Sequence, residues 1–136
     1  MTLWPNFYLP KTKCRFEPPN VRYLESDYVH ALLGRASLEF RHVRLFVRQV
    51  GAIKVDDRMF RAGQAGQADL WAVDMSARHY EIEVKRYTKL SPAQIVWRDW
   101  CRSWNVPWTV IEVHKTEQPG QTVERWIHEL QKFFAA

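Results

Sequence analysis

Two neighbouring stretches decide the fold: Asp69-Leu-Trp-Ala-Val-Asp74 and, after a short turn, His79-Tyr-Glu-Ile-Glu-Val-Lys85. Both are predicted to be β-strands, and the second alternates strictly between apolar and charged residues, as a strand with two different faces does. The alternation assigns its residues to two faces: Tyr80, Ile82 and Val84 on one, and Glu81, Glu83 and Lys85 on the other.

The charged face of the second strand carries the chemistry. If the two strands pair as an antiparallel hairpin, Asp69 approaches the end of the strand that holds Glu83. Two carboxylates and the backbone carbonyl of Val84 then form an oxygen site suited to Mg²⁺ or Mn²⁺. Lys85 beside it can orient a water and counter the charge of a pentavalent phosphorane. The alternative is a solvated face of an edge strand, since such triplets often arise by chance.

Three neighbouring features favour the site. The small-residue loop from Ala62 to Ala68, which contains two glycines, precedes Asp69 and allows close backbone approach to a ligand. Ser91-Pro92 predicts a helix start, with Ser as N-cap and Pro at the first helical position, and Gln94 lies in the first turn of that helix. Glu39 is expected in the first turn of the helix that opens the fold.

The rest of the chain predicts an α/β fold in the order arm, α, β, β, β, α, β, α. Phe40, Val43, Phe46, Val47 and Val50 have helical spacing, which predicts a helix from Ser37 to Gly51. Residues 52–62 read as short β-like runs around a turn, and Trp108 to Val113 as a strand. A last helix is expected to begin at Thr122, so that helices flank a mixed four-stranded sheet.

The length of 136 residues and the composition fit one folded domain preceded by an arm. Residues 1–34 are expected to be an extended arm rich in proline and aromatics, and residues 35–136 the folded domain. No stretch approaches 18 consecutive apolar residues, which excludes a membrane-spanning helix, and no secretory signal is recognisable. Cys14 and Cys101 lack metal-ligand spacing and suggest idle thiols in the cytoplasm.

Three motifs in order resemble the PD-(D/E)xK nuclease superfamily, and most closely its VRR-NUC branch: Gly66-Gln-Ala-Asp69-Leu, Glu81-Ile-Glu83-Val-Lys85 and Leu90-Ser-Pro-Ala-Gln94. The segments Glu39…Phe46-Val-Arg-Gln-Val-Gly51 and Arg58…Arg61…Gly63 are similar to its first helix and its arginine-containing strand. The resemblance implies a restriction-endonuclease-like core that hydrolyses DNA with Mg²⁺ or Mn²⁺.

The resemblance also implies a role for each site residue. Asp69 and Glu83 would be metal ligands, Lys85 the catalytic lysine, and Gln94 the group that positions the water or the scissile phosphate. Glu39 would be an accessory ligand. Two departures are present in this chain: Ala68 replaces the usual Pro before Asp69, and Glu81 adds a third acid, which we expect to be exposed.

Positive charge leads into this site. Residues 35–61 carry seven Lys and Arg against three Asp and Glu, within a net charge of +5, and such a stripe favours phosphate backbones through counterion release. The candidate nucleic-acid contacts are Arg41, Arg44, Arg48, Arg58, Arg61, Arg86, Lys89 and Arg98. A solvated helix face is the alternative for the first three. The tryptophans at 97, 100, 104 and 108 are expected to pack in the core rather than stack on bases.

These features predict a metal-dependent DNA endonuclease, and the choice among junction, flap, nicked and single-stranded DNA stays open. Two alternatives remain: a nucleic-acid-binding module that lost turnover, and a protein-interaction factor that binds its partner through the aromatic arm. Since a small nuclease contacts few phosphates and its substrate has two strands, a homodimer is expected. A bacterial or phage-encoded cytoplasmic protein fits this picture.

Overall fold

The computed structural model describes residues 23–48, 51–86 and 88–136. Residues 1–22 of the predicted arm, including Cys14, therefore lie outside the described residues. The elements of the described residues are, in chain order, α1 (Glu25–Glu39), β1 (Val43–Val47), β2 (Gly51–Val55), β3 (Arg58–Ala62), β4 (Leu70–Asp74), β5 (His79–Arg86), α2 (Pro92–Ser103), β6 (Trp108–Val113) and α3 (Pro119–Ala135).

The main sheet has four strands in the order β1-β4-β5-β6. β4 pairs antiparallel with both β1 and β5, whereas β5 and β6 are parallel. The parallel pair is possible because α2 forms the crossover between its strands. β2 and β3 form a separate antiparallel hairpin whose turn includes Asp56 at a φ of 55°. The α/β class and the mixed four-stranded sheet are therefore confirmed.

The two faces of the sheet meet different surroundings. Leu70, Ile82 and Ile111 lie on one face and are fully buried in a core that also contains Leu32 of α1 and Trp126 of α3. The other face carries Glu81 and Glu83, which receive hydrogen bonds from α2. Helices α1 and α3 thus cover the apolar face, and α2 lies over the acidic one.

The predicted helix from Ser37 to Gly51 is wrong. The helix of this region is α1, which ends at Glu39, and the residues after a short turn form β1. The spacing of apolar residues by three and four wrongly predicted a helix because β1 is an edge strand. Leu45 is its one buried residue, while Phe46 and Val47 are exposed. A strand with one buried position leaves no period-two pattern, and its β-branched content is the remaining signal.

Two boundaries differ from the sequence-based ones. The division between residues 34 and 35 falls inside α1, which begins at Glu25. Helix α3 begins at Pro119, three residues before the expected start at Thr122. Thr122 is a buried residue of its first turn, and its hydroxyl donates to Glu117 Oε1 at 2.7 Å. By contrast, Ser91 caps α2 as expected. Within the described residues, no helix has both the length and the apolarity needed to cross a membrane.

The tryptophan stripe of α2 is only half in the core, so that prediction is partly wrong. Cys101 is buried and Trp97 half-buried, but Val96, Trp100 and Trp104 are exposed. Successive helical residues point about 100° apart, so the predicted stripe was wider than the face that α2 turns to the sheet. Trp108, on β6, is half-buried.

Candidate metal centre

The strand register brings the two predicted ligands side by side. β4 and β5 pair Leu70 with Ile82, and the next position outward sets Asp69 opposite Glu83. Opposed residues of an antiparallel pair have side chains on the same face, about 5 Å apart at Cβ. Asp69 Oδ2 also accepts a hydrogen bond of 2.9 Å from the Val84 backbone N–H. The carboxylate of Asp69 thus takes the place of a β4 backbone carbonyl at this point.

The backbone carbonyl of Val84 faces the same side of β5 as its N–H, which bonds to Asp69. In an antiparallel pair, the N–H and C=O groups of one residue point to the same side of its strand. Because the Val84 N–H is directed at Asp69, its carbonyl faces the side on which β4 has just ended. The backbone oxygen expected from the sequence is therefore on the side of the two carboxylates.

Helix α2 supplies the third group. Glu83 is 2% exposed, and its Oε1 accepts a 2.5 Å hydrogen bond from Gln94 Nε2. Gln94 is held by its own N-cap: the Ser91 N–H donates to Gln94 Oε1 at 2.8 Å, and the Gln94 N–H donates to Ser91 Oγ at 3.2 Å. This capping box directs the amide NH₂ at Glu83. Lys85 Nζ lies 3.9 Å from Glu83 Oε1.

Glu83 is a buried acid beside a second carboxylate, and both features disfavour its charged form. Burial, and then the charge of Asp69, raise the pKa of Glu83 to about 8, although Lys85 lowers it. A hydrogen bond between the Asp69 and Glu83 side chains adds to this rise. A proton on Glu83 thus relieves its repulsion from the neighbouring carboxylate. A cation bound between them would supply the missing positive charge, so this donor set fits a divalent metal.

Glu25 is the acid that the sequence reasoning missed. It lies in the first turn of α1, and its pKa is raised by burial and by the charge of Asp69, while Lys85 and Arg86 lower it. Glu25 in turn raises the pKa of Glu83. The only sequence signal was the acidic first turn of an unrecognised helix, because the proximity itself comes from tertiary packing.

The structure does not bring Glu39 to this group. The expectation that it lies in the first turn of the opening helix is wrong, since it is the last residue of α1. It lies fourteen positions after Glu25, or about 21 Å along a helix. Its carboxylate pairs with Arg35 at 2.7 Å, and Arg35 also bonds to Glu124 of α3. Arg35 therefore links α1 to α3, and the Glu39 carboxylate is engaged in that ion-pair network.

Glu81, expected to be exposed, is 1% exposed. Both of its oxygens bond to Arg48, and it also contacts His79 Nε2 at 2.5 Å and the Trp97 indole N–H at 2.9 Å. Arg48 additionally donates to the Ala68 carbonyl at 3.2 Å. Arg48, a predicted phosphate contact, is thus a structural partner of a buried acid beside the site. Buried carboxylates require such pairing.

The small-residue loop approaches the chain's own helix. Gly66 has a φ of 85°, and a Cβ there would lie 2.2 Å from the carbonyl oxygen of Ala93. Glycine is therefore required for this contact. Since Ala93 precedes Gln94, the loop braces the turn of α2 that carries the amide.

The remaining predicted nucleic-acid contacts have varied surroundings. Exposed cations are Arg41, Arg44, Arg58 and Lys89. Arg86 is half-buried, and Arg98 is half-buried beside the Asp99 carboxylate at 3.2 Å. The side chain of Arg61 lies outside the described residues. Arg41 and Arg44 flank the start of β1 rather than a helix face.

Within the described residues, no three His, Cys, Asp or Glu side chains converge on a common point as a complete metal cage. The carboxylate pair is therefore the centre of the candidate site, and backbone and water oxygens would complete a coordination shell around it. No protein-family model, curated protein or solved structure matches this chain.

Proposed function

We propose that this protein is a metal-dependent endodeoxyribonuclease that hydrolyses phosphodiester bonds with water, on a restriction-endonuclease-like core of the VRR-NUC type. The observation that carries the proposal is the pairing of Asp69 with Glu83 across the strands, with Gln94 and Lys85 beside it. Paired carboxylates next to an amide and a lysine match the needs of metal-assisted phosphodiester hydrolysis.

Asp69, Glu83 and the Val84 carbonyl would hold Mg²⁺ or Mn²⁺. When bound, the metal supplies Lewis-acid polarisation of the phosphoryl oxygen and lowers the pKa of a coordinated water. Within the chain, loss of the proton from Glu83 leaves its carboxylate as a hard oxygen donor beside Asp69. The Asp69 carboxylate is already oriented by the Val84 N–H.

Lys85 and Gln94 act on the reacting groups. Lys85 is 14% exposed and 3.9 Å from Glu83, so its ammonium lies at the edge of the site, where it orients the attacking water and stabilises charge on the phosphoryl oxygens. Gln94 has a second amide hydrogen besides the one given to Glu83, and it positions the water or the scissile phosphate.

Glu25 completes the acidic group as the residue that α1 contributes, in place of Glu39. Its electrostatic coupling to both Asp69 and Glu83 supports a role as an accessory ligand through water. The substitution Glu25→Gln is expected to weaken Mn²⁺ binding less than Asp69→Asn does, because Glu25 lies outside the carboxylate pair.

Titration calorimetry of the metal-free protein with Mn²⁺ tests the proposal. Wild type should bind, and Asp69→Asn should abolish binding, because one of the two central carboxylates is lost. Asp57→Asn, in the exposed turn between β2 and β3, is the matched control and should bind like wild type. Equal Mn²⁺ binding by wild type and Asp69→Asn would contradict the site. Binding without cleavage of any DNA substrate would favour the non-catalytic alternative.

The proposal extends to assembly and setting. Two copies acting together would match the two strands of duplex or junction DNA.

Cys101 is a free, buried thiol whose pKa is raised to about 11 by burial and by the nearby Glu81, so it stays protonated and inert. An inert thiol is compatible with the cytoplasm of a bacterium or of a phage-infected cell.

A further inference from the structure

Helix α2 carries an exposed apolar face. Val96, Trp100 and Trp104 follow one another at intervals of four residues and are 69%, 43% and 68% exposed. Trp97 and Trp100 are stacked with ring centroids 4.8 Å apart, and Trp104 follows 5.8 Å from Trp100. We call the three indoles at 97, 100 and 104 the tryptophan ladder.

The ladder is held in place at its inner end. The Trp97 indole N–H donates to Glu81 Oε1 at 2.9 Å, and Glu81 is itself fixed by Arg48. The inner ring therefore has one orientation, against which Trp100 stacks. Aromatic rings that are already ordered lose little conformational entropy when another flat group is added to the stack.

A groove lies along the inner part of the ladder, next to the turn of α2 that carries Gln94. Its walls are the loop residues Gly63, Gln64 and Ala65 on one side and Ala93, Val96, Trp97 and Trp100 of α2 on the other, and its volume is about 730 Å³. Ala93 immediately precedes Gln94, which contacts Glu83. From Gln94 to Trp104 the helix advances about 15 Å. The groove and the ladder thus lead away from the carboxylates along one helix.

The segment that contains the ladder carries a net positive charge, which favours binding of a polyanion. Residues 85–104 contain five Lys and Arg against one acid, Asp99. Lys89 and Arg102 are exposed, and Arg102 lies 4.0 Å from Asp99, at the limit of an ion pair. Flat, exposed rings set among cations are the combination with which proteins bind unpaired nucleic-acid strands, by stacking on bases and pairing with phosphates.

We infer that the tryptophan ladder binds the unpaired bases of a DNA strand whose scissile phosphate lies at the carboxylate pair. This inference rests on the proposed function and narrows its substrate class to DNA with a single-stranded segment beside the cleavage point. An apolar protein partner fits this face less well, because the exposed cations of the same segment, Lys89 and Arg102, favour a polyanion.

Binding of a fluorescein-labelled oligothymidine, measured by anisotropy in EDTA, tests the inference without any metal chemistry. The double variant Trp100→Ala/Trp104→Ala should lose about tenfold in affinity for each ring removed, since each stacked base contributes substantially to binding. Trp100→Phe/Trp104→Phe should retain most of the affinity, because it keeps flat rings. Leu38→Ala removes an exposed apolar side chain from α1 and should have no effect. Circular dichroism verifies that each variant is folded.

Two results would overturn the inference. One is equal oligothymidine affinity of wild type and the double alanine variant. The other is a double alanine variant that loses self-association, measured by light scattering, but keeps its oligothymidine affinity, which would make the ladder a contact between copies. Failure of the nuclease proposal looks different: Mn²⁺ then fails to bind or cleavage is absent, whatever the oligothymidine result.

Discussion

Two acids on one strand, Glu81 and Glu83, have opposite electrostatic surroundings although both are buried. Glu81 faces Arg48, His79 and the Trp97 indole, so its charge is compensated. Glu83 faces a second carboxylate, and its pKa rises to about 8. Although they are only two residues apart on β5, Glu81 belongs to a structural ion pair, whereas the charged form of Glu83 would be stabilised by a bound cation.

The ion pair predicts the effect of Arg48→Ala. Removing the guanidinium leaves Glu81 buried and uncompensated, which should lower the free energy of unfolding by about 3 kcal/mol. Arg44→Ala, at an exposed position on β1, should change it by less than about 0.5 kcal/mol. Urea unfolding of both variants measures the difference. Similar stability of the two variants would mean that Arg48 is a surface cation, as the sequence suggested.

The raised pKa of Glu83 predicts a pH dependence in the metal-free protein. The folded state binds this proton up to a pH of about 8, whereas the unfolded state releases it near pH 4.5. The contribution of Glu83 to stability is therefore complete below pH 4.5, declines above it, and is lost as the pH rises through about 8.

In Glu83→Gln this dependence should disappear, so that the variant becomes more stable than the metal-free wild type at pH 8 and similar to it near pH 5. Thermal unfolding in EDTA across this range provides the measurement. Glu129→Gln on α3, which replaces a half-exposed acid, is the control and should parallel wild type. If the stability of Glu83→Gln has the same pH dependence as that of wild type, the raised pKa of Glu83 is contradicted.

Among the elements, those near the site were the most predictable. β4, β5, α2 and β6 follow from local rules, because alternation marks β5 and Ser91-Pro92 marks the start of α2. Helix α1 was missed because its N-cap, Leu24, offers no side-chain oxygen; Asp27 bonds back to the Leu24 N–H instead. β1 was misread because one buried residue, Leu45, gives no strand pattern.

The contact between the glycine loop and α2 predicts the effect of Gly66→Ala. The added Cβ would meet the Ala93 carbonyl at 2.2 Å in a backbone conformation with φ of 85°. We expect a loss of at least about 2 kcal/mol in unfolding free energy and weaker Mn²⁺ binding, because Gln94 moves with this turn.

Gly34→Ala, inside α1, is the control for this substitution, and it should be neutral or stabilising because alanine favours a helix. Thermal unfolding and Mn²⁺ calorimetry of both variants provide the comparison. Wild-type behaviour of Gly66→Ala in both measurements would show that the loop does not support α2.

On the scale of the whole molecule, the candidate site is assembled from four separate parts of the chain. Asp69, Glu83, Lys85 and Gln94 could be named from sequence because strand and capping rules place them within one hairpin and the following helix turn. Glu25 could not, since only the packing of α1 across the sheet brings its N-terminal turn to the site. The burial of Glu81 was missed because no local pattern reveals the arginine that compensates it.

The proposed pairing of two copies predicts the mass of the protein in solution. Light scattering at micromolar concentration should give about 32 kDa, which is twice the chain mass of 16.2 kDa. A mass of one chain at every concentration tested, with cleavage retained, would show that a single copy is sufficient.

Cleavage of supercoiled plasmid, flap and four-way DNA with Mg²⁺ or Mn²⁺ tests the central claim most directly. Wild type should cut at least one of these substrates only when the metal is present. Lys85→Ala should cut it at least about 100-fold more slowly, since it loses the group that we propose to orient water and stabilise phosphoryl charge. Lys132→Ala, an exposed lysine on α3, should cut like wild type. Metal-independent cutting, or equal rates for Lys85→Ala and wild type, would contradict the account.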